Sequence, residues 1–111
     1  MIVLKTNREL ALMREACIIS AGALKLAGEA VEPGVTTAEI DKIAYDYIIK
    51  CGAKPNFLNY NGYPATACIS INDEVIHGIP SKKRVIEEGD IVSIDLGAVL
   101  EGFNGDNAAT F

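Results

Sequence analysis

A threonine followed three residues later by a glutamate occurs twice in the first half of this 111-residue chain, a spacing typical of a helix N-terminus. The second case, Thr36 with Glu39, precedes apolar residues at the spacing of one helix face, and Gly52 then provides a typical helix end. The apolar face comprises Ile40, Ile43, Ala44, Tyr47 and Ile48. We therefore predict an amphipathic helix between residues 36 and 52.

The first case, Thr6 with Glu9, predicts a longer helix. It should run to about Ala30 and end before Pro33, because proline cannot continue a helix. Its middle, Ala16 to Leu24, contains no charged residue. A surface helix normally has a polar face, so we expect this stretch to be covered on more than one side. In so short a chain, that expectation points to a partner surface.

The second half of the chain has the pattern of strands. The predicted strands are Ala65 to Ile71, Glu74 to His77, Ile91 to Leu100 and Phe103 to Phe111. Turn residues separate them at Asn72-Asp73 and at Glu101-Gly102. Two helices followed by antiparallel strands indicate an α+β fold, and the length suits a single domain over residues 1–111.

Composition limits the class of protein. Half of the residues are apolar, which is enough for one hydrophobic core, and the net charge of −5 makes nucleic acid a poor partner. There is no apolar run long enough for a membrane span, and the N-terminus does not resemble a signal peptide. Cys17, Cys51 and Cys68 show no paired spacing. This indicates reduced thiols and a cytoplasmic location.

Two acidic residues, Asp95 and Asp106, lie inside the last two predicted strands. If the hairpin closes at Leu100-Glu101, or through a four-residue loop from Val99 to Gly102, the two aspartates lie directly opposite each other. Their Cβ atoms would then be about 5 Å apart on one face of the sheet. A slip of one residue would separate them, so this geometry depends on the register.

Opposed carboxylates repel each other and lose hydration in a half-buried strand. They can stay solvated, share a proton or hold a divalent cation. Carboxylate oxygens suit Mg²⁺, Mn²⁺, Fe²⁺ or Co²⁺, and a bridging pair can hold two metal ions. From the spacing alone, solvated acids and a metal site are equally good interpretations.

Other candidate residues have two interpretations each. His77 is the only histidine, and a lone histidine is more often structural than a hydrogen-bond donor or proton shuttle in hydrolysis. Cys68, in a strand, is by default a small buried hydrophobic residue. Phe57, Tyr60 and Tyr63 either pack a loop over the core or form a pocket wall for an apolar side chain.

Four segments taken together resemble the type I methionine aminopeptidases. They are Asn59 to Pro64, Cys68 to Pro80, Glu88 to Asp95, and Gly105-Asp106. Their order and spacing agree along the whole chain, including the two leading helices. The resemblance implies half of the pita-bread fold, in which two similar αβ halves related by pseudo-twofold symmetry enclose a dinuclear metal centre. Prolidases and creatinases share that architecture, but the match from Cys68 to Pro80 argues against them.

The resemblance also implies an activity and a set of site residues. The activity is hydrolytic removal of the N-terminal methionine from nascent peptides. Asp95 and Asp106 would be two of five ligands to two divalent ions (Co, Mn, Fe or Zn), and His77 would act on the substrate beside them. A loop near Asn72 would offer carbonyls to a monovalent cation. The pocket for the methionine side chain would include Phe57, Tyr60, Tyr63, Cys68 and His77.

In the family, the remaining ligands and a second catalytic histidine come from a C-terminal half, which this sequence is expected to lack. We therefore expect an N-terminal half that is inactive by itself, with the missing half or a second copy of the chain as its partner. The alternative is a self-associating or peptide-binding module of the same fold. Smaller departures are Asn104, where a histidine is frequent, and Ala109, where a basic residue is common.

Overall fold

The computed structural model describes residues 3–74 and 78–111. Its elements are α1 (Asn7–Glu29), α2 (Thr37–Lys50), β1 (Lys54–Pro55), β2 (Ala67–Ile71), β3 (Val92–Leu100) and β4 (Phe103–Thr110), with a short 3₁₀ turn at Tyr60–Gly62. Both helices begin at the predicted capping boxes, where Thr6 and Thr36 exchange side-chain and backbone hydrogen bonds with their glutamates. The predicted strand from Glu74 to His77 falls mostly outside the described residues.

The four strands form one antiparallel sheet with β3 at its centre. One edge of β3 pairs with β4 from Ser93 to Leu100. The other edge pairs first with β2 and then, near its end, with β1. Two helices and an antiparallel sheet confirm the predicted α+β class.

The helices cover one face of this sheet. Alternate residues of β3, among them Ile94 and Leu96, are fully buried there against α1 and α2. Gly105 of β4 lies so close to α1 that an added Cβ atom would be 2.6 Å from the carbonyl carbon of Ala16. Only glycine permits this approach of helix and strand. The apolar core therefore lies entirely on the helix face of the sheet.

The uncharged stretch of α1 is covered from two directions and exposed on its outer side. Ser20 contacts the Leu96 carbonyl of β3, and Gly22 faces Tyr47 of α2. Ile18 is 55% exposed and Cys17 is exposed. The partner surface predicted for this stretch stays a prediction. In the described part of the chain, no helix is long and apolar enough to cross a bilayer.

The β3–β4 hairpin closes at the predicted turn, Glu101-Gly102, and both residues have positive φ (48° and 82°), as a type I′ turn requires. This turn lies one residue further along than the loop assumed above, which shifts every pairing by two residues. Asp95 consequently pairs with Ala108, and Asp106 pairs with Gly97. The prediction that the two aspartates are directly opposite is therefore wrong. A shift of two residues preserves the face, so they remain diagonal neighbours.

Candidate metal centre and substrate cleft

The sheet face opposite the helices carries a cleft of about 940 Å³. Its floor comes from β2, β3 and β4, and one side comes from the loop between β1 and β2. The lining residues are Asn56, Phe57, Tyr60, Asn61, Gly62, Tyr63, Pro64, Cys68, Ile79, Asp95, Asn104 and Asp106. Every predicted site residue that the structure describes therefore lies in this one cleft.

Asp95 and Asp106, the carboxylate pair, lie on the cleft floor because strand residues alternate between the two faces. Asp95 stands between the buried residues Ile94 and Leu96 and points the opposite way. Asp106 is close enough to form a hydrogen bond with protonated Asp95. Burial, followed by this hydrogen bond and the charge of Asp106, raises the pKa of Asp95 to about 6. The floor of the cleft thus concentrates negative charge in a partly desolvated place.

Asp95 Oδ1 is buried and has no hydrogen-bond partner within residues 3–74 and 78–111. A buried acceptor without a partner costs free energy. A bound cation or a hydrogen-bond donor at this oxygen would remove that cost. Asn107 Oδ1 is in the same state, but Asn107 alternates with Asp106 and lies on the helix side of β4. Two adjacent carboxylates, one with a free buried oxygen, fit the oxygen ligands that a divalent cation needs.

The carboxylate pair is the candidate for a metal site in this cleft. No cluster of three or more His, Cys, Asp or Glu side chains suited to a metal ion exists among the residues that the structure describes. His77, predicted to act on the substrate, lies outside those residues. The described part of the chain therefore brings together two of the predicted ligands, and their binding of a metal ion stays a prediction.

Tyr63 and Cys68 form one wall of the cleft, next to the carboxylate pair. Cys68 pairs with Asp95 across β2 and β3, and the Tyr63 hydroxyl donates to the carbonyl of Ala67 at 2.9 Å. Burial is the main cause that raises the pKa of Tyr63 and of the Cys68 thiol. Both groups are therefore neutral near pH 7. The Phe57 ring meets Tyr63 edge to face, with 6.4 Å between centroids.

Tyr60 lies at the mouth of the cleft and is 69% exposed. It begins the 3₁₀ turn, and the asparagines on either side of it, Asn59 before the turn and Asn61 within the turn, have positive φ angles of 66° and 50°. Asparagine tolerates this left-handed conformation better than most residues. The turn therefore presents Tyr60 to solvent rather than to the cleft floor.

Asn56 and Asn104 also line the cleft and were not predicted to do so. The Asn56 amide donates to the Gly97 carbonyl at 2.9 Å, and its side chain lies 3.1 Å from where a Gly97 Cβ would be. Nothing in the sequence signals this long-range contact. Asn104 has a signal, because it lies two residues before Asp106 in the same strand and hence on the same face.

Asn72, near which a monovalent cation was predicted, has both side-chain atoms engaged. Its Oδ1 accepts from the Ile91 amide and its Nδ2 donates to Asp90, both at 2.9 Å. These bonds tie the turn after β2 to the start of β3. The monovalent cation itself stays a prediction.

The fold and the carboxylate pair together suit a metal-dependent hydrolase. The model of the family described as Metallopeptidase family M24 matches residues 11–111, and this chain belongs to that family.

Individual relatives show which proteins of this family the chain is similar to. A methionine aminopeptidase from Clostridium acetobutylicum is 52% identical over 111 residues, which cover 100% of this chain and 44% of that protein. The crystal structure of methionine aminopeptidase from Thermotoga maritima superposes with a TM-score of 0.96 at 40% identity, covering 100% of this chain and 45% of that one. The structure of prolidase from Pyrococcus furiosus superposes with a TM-score of 0.83 at 30% identity, covering 98% of this chain and 31% of that one. The chain thus spans less than half the length of these proteins, and the prediction of half a pita-bread fold is confirmed.

Proposed function

We propose that this chain is the half of a methionine aminopeptidase that supplies Asp95 and Asp106 to its metal centre. The proposed reaction is hydrolysis of the peptide bond after the N-terminal methionine of nascent proteins. The observation that carries the proposal is the buried Oδ1 of Asp95 beside the Asp106 carboxylate, an oxygen without a partner among residues 3–74 and 78–111. The similarity to proteins of that name supports it.

Each part of the cleft has a role in this proposal. Asp95 and Asp106 would hold divalent cations at the cleft floor. Such cations, when bound, would supply Lewis-acid activation of the peptide carbonyl and of water. His77, which lies outside the described residues, is proposed to act on the substrate because the chain resembles the methionine aminopeptidases. The identity of the metal, among Co, Mn, Fe and Zn, stays open because carboxylates discriminate poorly between these ions.

The cleft wall next to the carboxylate pair suits the side chain of methionine. Cys68 is buried, Tyr63 is half-buried, and both are neutral, while Phe57 adds an aromatic edge. A flexible thioether makes favourable contacts with aromatic rings. Tyr60 is proposed to contribute at the mouth, where the rest of the peptide would enter. In this proposal the first side chain lies in the cleft and the peptide bond lies near the carboxylates.

The proposal includes a limit on the chain by itself. Two carboxylates of five ligands hold metal ions weakly, so we expect no measurable aminopeptidase activity from the 111 residues alone. The other ligands would come from a C-terminal half. A second copy of the chain is the alternative source, and the exposed Ile18 on α1 would then be part of the contact surface. Light scattering that shows only a monomer at tens of micromolar would exclude the second copy.

The metal proposal can be tested by titrating Mn²⁺ into the chain with calorimetric detection. Asp95→Asn and Asp106→Asn should each weaken binding by at least about tenfold, because each removes one charged oxygen ligand. Asp73→Asn is the matched control, since Asp73 is an exposed carboxylate in the turn after β2. Equal affinity in all four proteins would refute a metal centre at the carboxylate pair.

Activity provides a separate test. The pure chain is incubated with Mn²⁺ and a peptide that begins Met-Gly, and released methionine is measured. We expect none above the metal-only blank. Robust release would show that the chain is active without further ligands and would contradict the inactive half, although not the metal centre.

A further inference from the structure

Asp41 is a half-buried carboxylate on α2 that does not line the cleft. Its Oδ1 accepts from the Ala67 amide at 2.7 Å, and the Thr66 amide also donates to the carboxylate. Burial raises the pKa of Asp41, and these two hydrogen bonds act in the opposite direction. Burying a carboxylate costs free energy unless hydrogen bonds or ion pairs replace its lost hydration. The hydrogen bonds of Asp41 therefore indicate that it holds the start of β2 in place.

The two amides that Asp41 holds are next to the first wall of the cleft, which is formed by Tyr63 and Cys68. Ala67 is the first residue of β2, and Cys68 follows it. The Ala67 carbonyl accepts the Tyr63 hydroxyl at 2.9 Å. A displacement of Ala67 would therefore move both residues of the first wall.

The second wall of the cleft, at Ile79, is held by the same helix one turn earlier. Thr37 Oγ1 accepts from the Ser81 amide at 2.8 Å, and the Ala38 amide donates to the Ser81 carbonyl at 3.2 Å. Ser81 follows Ile79 by two residues. Because Thr37 and Asp41 are four residues apart, they project from one side of α2.

The two walls also contact each other. The Tyr63 hydroxyl reaches the carbonyl of Gly78, the residue before Ile79, at 3.5 Å. The Gly78 amide in turn donates to Ser70 Oγ at 3.1 Å within β2. One side of α2 thus holds the first wall through Asp41 and the second wall through Thr37, and the two walls contact each other.

We propose that Asp41 is a positioning residue that sets the width of the cleft, by holding the Tyr63 and Cys68 wall against the Ile79 wall that Thr37 holds. The proposal rests on the proposed function only in assigning this cleft to the substrate. Asp41 touches neither the substrate pocket nor the carboxylate pair, and it acts through Ala67.

The test is amide hydrogen exchange of the ¹⁵N-labelled 111-residue chain, measured by NMR. In Asp41→Ala, the amides of Ala67 and Gly78 should exchange about tenfold faster, as expected for the loss of one hydrogen-bonded support. The amides of α1 and β4 should keep their rates. Acceleration by one common factor throughout the chain would mean that Asp41 acts only on global stability, and it would overturn the proposal.

Two further variants complete the design. Asp41→Asn keeps one acceptor for the Ala67 amide but turns an NH₂ group towards Thr66, so Ala67 should exchange faster than in the parent chain and slower than in Asp41→Ala. Asp46→Ala is the matched control on the same helix, since Asp46 is exposed and bonds to Lys42 at 2.7 Å. Unchanged exchange at Ala67 in Asp41→Ala, as in the control, would refute the proposal.

Mn²⁺ titration separates this proposal from the proposed function. Asp41→Ala should leave the Mn²⁺ affinity of the chain within about twofold, because Asp41 bonds to the start of β2 whereas Asp95 and Asp106 lie on β3 and β4. A parent chain that binds no Mn²⁺ would contradict the proposed metal centre. The local exchange pattern would still decide the role of Asp41.

Discussion

The two faces of the β3–β4 hairpin are built from alternate residues of the same strands, yet one face is packed with apolar side chains and the other carries carboxylates. On the helix face, Ile94 and Leu96 are fully buried against α1 and α2. On the cleft face, Asp95 stands between them with one buried oxygen that has no partner in the described part of the chain. The helix face is closely packed among the described residues. The cleft face leaves an acceptor without a partner among them.

The side chains on the two faces contribute to the stability of the hairpin with opposite signs. Each large apolar side chain buried on the helix face contributes about 1.5–3 kcal/mol of stability. Asp95 on the cleft face is partly desolvated and close to a second carboxylate, which disfavours its charged form. We conclude that the helix face stabilises the hairpin while the cleft face is held in a geometry that costs stability.

The largest expected effect is on the helix face. Leu96→Ala should lower the free energy of unfolding by about 3–4 kcal/mol, because it removes a fully buried side chain and leaves a cavity. Urea unfolding followed by far-UV circular dichroism measures this loss. Asn104→Ala, an exposed position on the cleft face, should change stability by less than about 0.5 kcal/mol. Equal losses would show that the two faces do not differ as described.

The second effect concerns the close approach of β4 to α1. Gly105→Ala should destabilise the chain by about 2 kcal/mol, because the new Cβ atom would meet the backbone of Ala16 and the helix would have to move. Thermal unfolding provides the measurement. Ala108→Val, an exposed site on the cleft side of the same strand, is the control and should be nearly neutral. A neutral Gly105→Ala would mean that α1 adjusts freely over the sheet.

Local signals in the sequence predicted most of the fold. The capping boxes at Thr6 and Thr36 fixed both helix starts, because each bond in a capping box joins residues only three apart. The turn at Glu101-Gly102 was also predicted. The register was not, since the loop chosen to place Asp95 opposite Asp106 ignored the preference of a two-residue turn for glycine at its second position.

The candidate site was predictable where strand alternation alone determines the face. Asp95 and Asp106 stayed on one face despite the register error, because that error was an even number of residues. Asp41 was not predictable as a positioning residue. It lies off the apolar stripe of α2, where a charged side chain normally meets solvent, and its contact with Ala67 joins residues 26 apart in the sequence.

A third prediction concerns the carboxylate pair and has a defined pH dependence. The raised pKa of Asp95 means that the folded chain binds this proton more tightly than the unfolded chain. The associated stability is fully present below about pH 4 and is lost as the pH rises through about 6. Asp95→Asn in a buffer with EDTA should therefore stabilise the chain at about pH 7.5, on the order of 1 kcal/mol after solvent screening.

Urea midpoints of the parent and Asp95→Asn chains at about pH 7.5 and about pH 3 measure this difference. The gain should disappear at the lower pH, where Asp95 is mostly protonated in both states. Asp73→Asn, in an exposed turn, should show no such pattern. A variant that is less stable than the parent at the higher pH would mean that the cleft face stabilises the hairpin.

The smallest expected effect tests whether polar contacts on the cleft face contribute to stability at all. Ser93 Oγ and Thr110 Oγ1 are 3.0 Å apart across β3 and β4, in contact with solvent. Ser93→Ala should cost less than about 0.5 kcal/mol, because water replaces the lost partner. Ile94→Val, the next residue and on the helix face, removes one methylene group and should cost about 1 kcal/mol. Denaturant titrations of both variants measure the ratio, and a larger cost for Ser93→Ala would show that the cleft face contributes packing of its own.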